Sequence, residues 1–101
     1  MRDWTIVWDL EDDKTGNYWH ICVEGHGITK DEVVEVLLDD NSVDAISKTS
    51  GNPITFGWTS TGKYIAVVWE LALEEPRTVY PLTAYAVPPP GSSKTKKRKK
   101  R

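Results

Sequence analysis

The stretch KYIAVVWEL, Lys63 to Leu71, alternates with the period of a β-strand and yet is apolar on most of both faces. Ile65, Val67, Trp69 and Leu71 fall on one side, while Ala66 and Val68 share the other with Tyr64 and Glu70. A strand with one wet face carries polar residues there, so this one is expected at the centre of a sheet. The chain has 101 residues, enough to build one core around such a strand and too few for two.

The neighbouring segments supply the rest of the sheet. ITFGWT (Ile54 to Thr59) precedes the central run across STG, which reads as a hairpin connection. Val43 to Ser47 is a shorter strand, and SGNP (Ser50 to Pro53) is a turn. LEEP leads into RTVYPLTAYAV, the last strand, where Pro81 has no N–H for a ladder and demands an edge position or a bulge. At the other end WTIVW (Trp4 to Trp8) is a short β-type run, followed by DLEDDKTGN as a loop or weak helix start.

Two helices are expected between these groups of strands. YWHICVEGHG predicts two turns with Tyr18, Ile21 and Cys22 on one face, stopped at Gly25 and Gly27. Thr29 followed by Glu32 is a capping box, in which hydroxyl and carboxylate each satisfy a free backbone N–H. Ile28 before the cap and Val33 at the fourth helical position form a hydrophobic staple, and Asp31 and Glu32 suit the positive end of the helix dipole. Val33, Val34, Leu37 and Leu38 then mark the core-facing stripe of a helix ending near Asp39-Asp40-Asn41. The expected class is α+β: an N-terminal strand and two helices packed on a mainly antiparallel sheet.

Charge divides the chain in two. Seven of its thirteen basic residues lie in KTKKRKKR, leaving six Lys or Arg against fifteen Asp or Glu in the other residues, a formal balance of −9. Residues 1–87 are therefore expected to fold as an acidic body. Residues 88–101 are expected to be a disordered tail, Pro-rich and then basic, with nothing to bury. Lys94, Lys96, Lys97, Arg98, Lys99, Lys100 and Arg101 form a run that binds nucleic acid without sequence preference, or else simply solubilises the end of the chain. The single cysteine, Cys22, cannot close an intramolecular disulfide, no apolar run approaches ~20 residues, and no signal peptide opens the chain. The expectation is a cytoplasmic protein without membrane contact.

In order, Trp8-Asp9, Lys14, Asn17, HGIT (His26 to Thr29), a short acidic-apolar helix, a glycine-containing hairpin and a TAY ending are similar to the BrnT-type toxins. These are ribonucleases of type II toxin–antitoxin systems, in the wider RelE/ParE-like group. The resemblance covers roughly residues 4 to 87 and implies a RelE/ParE-like fold, an RNA substrate, an antitoxin protein as partner and no cofactor. It also implies where chemistry would sit. The family's lysine before HG is replaced by Gly25, and YPLTAY puts Tyr80 and Tyr85 where two arginines of an R-I-I-S-A-R-like segment would stand. Arg77 and Lys63 remain as cations near the last strands.

RNA cleavage in this group needs no metal; it needs a positioned 2′-hydroxyl and a neutralised phosphate. His20, His26, Arg77, Tyr80 and Tyr85 are the candidates for acid, base and phosphate binder. Each has an ordinary reading as well, His26 as a turn histidine and the tyrosines as packing residues with a wet hydroxyl. His20, Cys22, Glu24 and His26 also offer metal-ligand atoms, but they lack CxxC or HExxH spacing. On a helix 20 and 24 share one face and 22 and 26 another, so no metal is expected. Two functions follow: a toxin-family ribonuclease of weak or lost activity, or a non-catalytic domain that keeps the fold and binds protein or nucleic acid.

The division into body and tail is testable directly. Deleting Lys94 to Arg101 should leave the melting temperature nearly unchanged and remove most salt-sensitive nucleic-acid binding, because an acidic body repels a polyanion. Truncated and full-length chains binding RNA equally well would refute it.

Overall fold

The computed structural model describes residues 1–25 and 27–91; His26 and residues 92–101, which carry the basic run, lie outside the described residues. In chain order the elements are Thr5–Ile6 (β1), a π-helical turn at Trp19–Val23, the helix Lys30–Leu38 (α1), Val43–Ile46 (β2), Pro53–Trp58 (β3), Tyr64–Leu73 (β4) and Thr78–Ala86 (β5). They form an α+β fold with one five-stranded sheet in the order β1-β5-β4-β3-β2. β1 runs parallel to β5 and the other pairs are antiparallel. The doubly apolar strand β4 is the middle one of the five, as its pattern requires.

Pro81 meets both conditions that its missing N–H imposes. It pairs with Trp69 beside a register shift at Val68/Trp69, where Leu82 is the extra residue on β5. The β1 partnership reaches only Val79, so beyond it the outer side of β5 is an edge. The β3–β4 hairpin closes through Thr59–Gly62, with Gly62 at φ 91°, a conformation that glycine adopts without strain.

One face of the sheet holds the main core. Ile65, Val67 and Trp69 of β4, with Val79 and Ala84 of β5, pack against Val33, Val36 and Leu37 of α1, Ile21 of the π turn, and Ile28. Trp69 donates its indole N–H to Thr55 Oγ1 at 2.9 Å, and that fully buried hydroxyl donates to Asp44 Oδ1 at 2.7 Å. Arg2 closes the chain on Asp44 at 3.1 Å, so the polar atoms of Trp69, Thr55 and Asp44 are satisfied in series. The opposite face has a smaller cluster of Ile54, Ala66 and Val68, flanked by Phe56, Leu82 and Val87.

α1 starts as its sequence dictates. Thr29 Oγ1 accepts from the Glu32 N–H at 3.1 Å and Glu32 Oε1 accepts from the Thr29 N–H at 2.9 Å, completing the capping box. Ile28 and Val33 are both buried, as the staple requires. The stripe is rotated from its expected position: Glu32, Val33, Val36 and Leu37 are buried, whereas Val34 and Leu38 are half-buried. Glu32 accounts for the rotation, because its carboxylate turns inward to accept from Lys63 Nζ at 3.0 Å and from the Thr61 hydroxyl. Burial alone would raise the Glu32 pKa; the hydrogen bonds from Thr61, the Thr29 N–H and Lys63 outweigh it and hold the carboxyl below its usual range. At the other end of the helix, a Cβ on Gly57 would stand 2.4 Å from Ser42 Oγ and 3.0 Å from Val36, so β3 can approach α1 only without a side chain there.

The other expected helix is a single widened turn. The Glu24 N–H donates to the Trp19 carbonyl at 2.9 Å, an i→i+5 bond, and only Ile21 of this turn is fully buried. Tyr18 and Cys22 are half-buried beside it, and the apolar surroundings raise the Cys22 thiol pKa.

Denaturant melts check these assignments. Leu37→Ala should cost about 2–5 kcal/mol and Leu38→Ala much less, because only the first leaves a cavity in the core. Thr29→Ala should cost about 1 kcal/mol through the lost cap.

Candidate functional site

The loop before the π turn is locked to β5 by one asparagine and one aspartate. Asn17, only 4% exposed, accepts from the Asp9 N–H at 2.9 Å and donates to the carbonyls of Val7 at 3.1 Å and Pro81 at 3.0 Å. The Asp9 carboxylate accepts from the Asn17 N–H at 2.8 Å and from the Tyr80 hydroxyl. A Cβ on Gly16 would lie 2.5 Å from Asp9 Cβ, so the loop can close over the carboxylate only with glycine there. The hydrogen bond to Asp9, aided by burial, pushes the Tyr80 pKa up to about 12. The same bond, together with that from the Asn17 N–H, holds the Asp9 carboxyl below its usual range.

Beside this lock is a cleft of about 320 Å³ lined by Lys14, His20, Glu24 and Tyr80 among others. His20 Nδ1 lies 3.6 Å from Glu24 Oε1, both exposed, and Lys14 Nζ sits 5.5 Å from the centre of the Trp19 ring. A histidine paired with a carboxylate next to a lysine can move a proton and attract an anion. The Tyr80 phenol retains its proton at neutral pH and directs it to Asp9, so it supplies no charge to the cleft.

The other candidates lie elsewhere. Arg77 is exposed, with its guanidinium over the Trp4 ring at 4.9 Å and the Trp69 ring at 5.8 Å, at the end of the helix-covered core. Tyr85 pairs across from Ala66 on the opposite face of the sheet. Tyr80 shares that face, opposite Glu70, four residues along β4 from Ala66 and therefore roughly 13 Å from the Tyr85 position. Arg77, Tyr80 and Tyr85 thus do not converge on one reacting atom. His26 and the cations Lys94, Lys96, Lys97, Arg98, Lys99, Lys100 and Arg101 lie outside the described residues. Lys63 is committed to Glu32 and to the Gly27 carbonyl, which it reaches at 2.6 Å.

Sequence reading did not assign the Asp9–Asn17–Tyr80 lock. Asp9 and Asn17 stand out only as members of an ordered motif, and their partner is more than sixty residues away. Among the described residues no group of three or more His, Cys, Asp and Glu side chains could hold a metal ion. No helix among them is long and apolar enough to cross a membrane. Compared with protein-family models, curated proteins and solved structures, the chain matches none.

The lock has a definite pH signature. Tyr80 has a higher pKa folded than unfolded, so its contribution to stability is complete below about pH 10 and is lost as pH rises through about 12. Asp9 has the opposite shift, and its contribution is lost as pH falls through its depressed value. Thermal melts of wild type and Tyr80→Phe should therefore differ near neutrality and converge at strongly alkaline pH. Ultraviolet titration should show the latest-ionising tyrosine disappearing in the variant; retention of that late phase would show that the lock is not formed.

Proposed function

We propose that the chain is a BrnT-like domain of the RelE/ParE-like group, a toxin–antitoxin component that holds RNA and cleaves it weakly or not at all. The order Trp8-Asp9, Lys14, Asn17, HGIT, capped helix and TAY supports the family reading, and the α+β architecture is compatible with it. A small DNA-binding antitoxin encoded beside it would be its partner.

The state of Tyr80 carries the judgement on activity. A phosphate transition state gains most from fixed cations, and loss of one such group typically costs ~10²–10³ in rate. Tyrosines stand at 80 and 85, where arginines are expected, and the Tyr80 hydroxyl donates to a carboxylate. Arg77 is engaged with two tryptophan rings. Binding survives such losses better than catalysis does, because the seven cations of the basic run attract phosphates independently of the residues at 77, 80 and 85.

Incubating the purified full-length chain with end-labelled single-stranded RNA tests this reading. Salt-sensitive binding with slow or absent cleavage is expected, and Arg77→Ala should lower the melting temperature without changing any residual cleavage. Rapid cleavage abolished by Arg77→Ala or His26→Ala, in a variant that still folds, would show that the domain is a working ribonuclease.

A further inference from the structure

Both helical segments pack on one face of the sheet together with Trp4, Trp8 and Trp69, and the other face carries a second aromatic group of Phe56, Trp58, Tyr64 and Tyr85. Register places Trp58 beside Tyr64 in one cross-strand row, and Val43, Phe56, Ala66 and Tyr85 in the next. The Phe56 and Tyr64 rings are almost parallel, 15° apart with centroids separated by 6.4 Å, and Trp58 tilts against Tyr64 at 5.1 Å. Trp58 is 50% exposed and Tyr85 39%. Phe56 and Tyr64 are half-buried on the same face, so the four aromatic residues share a surface that no other element among the described residues encloses.

Charge distinguishes this patch from the rest of the body. The two rows contain no ionisable side chain except tyrosine, although the body carries fifteen carboxylates. Glu70 is the nearest acid along β4, four residues beyond Ala66, and Asp39 stands at the rim near Val43 and Trp58. The chain also leaves the sheet at this patch. The Val87 N–H donates to the Tyr64 carbonyl at 3.0 Å, and Pro90 borders a depression shared with Phe56, Trp58 and Tyr64. Lys94 follows three residues after Gly91, so the first of seven cations can be no farther than about 11 Å from that point.

We infer that the open sheet face at Phe56, Trp58, Tyr64 and Tyr85 is a stacking platform for single-stranded nucleic acid. This names the surface used by the RNA-holding activity and rests on that reading. Aromatic rings accept unpaired bases of any sequence, because every base has a π-face. Low local charge lessens the repulsion that the remaining acidic surface imposes, and the cations that follow Gly91 in the sequence supply attraction to phosphates. Duplex nucleic acid offers the tail at least as much charge but no free base to the rings.

Fluorescence anisotropy of labelled oligo-U RNA, oligo-dT and a duplex of equal length, titrated with the full-length chain, tests the inference. Trp58→Ala and Tyr85→Ala alter exposed positions, and circular dichroism melts identify any variant that fails to fold. Each should weaken single-strand binding about five- to 150-fold without changing its salt dependence. Deleting Lys94 to Arg101 should flatten a log K against log salt slope of up to about −5 and leave, at low salt, a quenching of tryptophan emission that Trp58→Ala removes. The two single-stranded probes separate RNA from DNA as the natural ligand. Equal affinity for duplex and single strand, with both ring variants binding like wild type, would overturn the platform and leave the tail alone as the binder. Self-association abolished by Trp58→Ala would instead assign the face to a second copy and also overturn the inference. No binding to any probe by the intact chain would overturn both this surface and the RNA-holding reading.

Discussion

A central strand that is apolar on both faces needs cover on both, and the described residues include one α-helix with which to provide it. α1 spans nine residues, about 13 Å, and with the π turn it covers a single face of β4. Placing both helical segments on the same side concentrates Ile65, Val67 and Trp69 in a continuous core with Val33, Val36 and Leu37. The second face has to be shielded by the sheet itself. Ile54, Ala66 and Val68 are buried there by larger neighbours, with Phe56, Leu82 and Val87 leaning over them. The open aromatic surface is the geometric consequence of having too little helix for two faces.

The acidic body confronts the same economy in its polar groups. Glu32 is buried, yet its carboxylate accepts from three donors, the Thr29 N–H, the Thr61 hydroxyl and Lys63, and Lys63 also donates to the Gly27 carbonyl. Leaving any one of them out would expose the cost of a desolvated carboxylate, on the order of a few kcal/mol. Asp9 is treated similarly by Asn17 and Tyr80. These two carboxylates fasten the loops at opposite ends of the π-turn segment, one to the β3–β4 hairpin and the other to β5. Lys63 and the Tyr80 hydroxyl are thereby used to hold the fold together.

Much of the architecture is visible in local pattern. The capping box at Thr29 and Glu32, the staple of Ile28 with Val33, the hairpin across STG and the edge or bulge demanded by Pro81 all depend on residues close in sequence or on a donor that proline lacks. Their physics acts over a few ångströms along the chain, so the sequence suffices to specify them. The helix stripe is a different case. Periodicity names Val34 and Leu38, but Glu32 is drawn inward by Lys63, thirty-one residues away, and Val36 meets the bare backbone of Gly57.

The sequence by itself determined the central position of β4, the start of α1, the acidic character of residues 1–87 and the separate basic run after them, because alternation, capping chemistry and charge are local properties. Only tertiary structure decided that Arg77 would stack on Trp4 and Trp69, that Tyr80 would bind Asp9, and that Trp58, Tyr64, Phe56 and Tyr85 would share an open face. Each of those outcomes depends on strand order and register. They are fixed jointly by contacts between distant segments, where a shift of one residue would send every side chain to the other face.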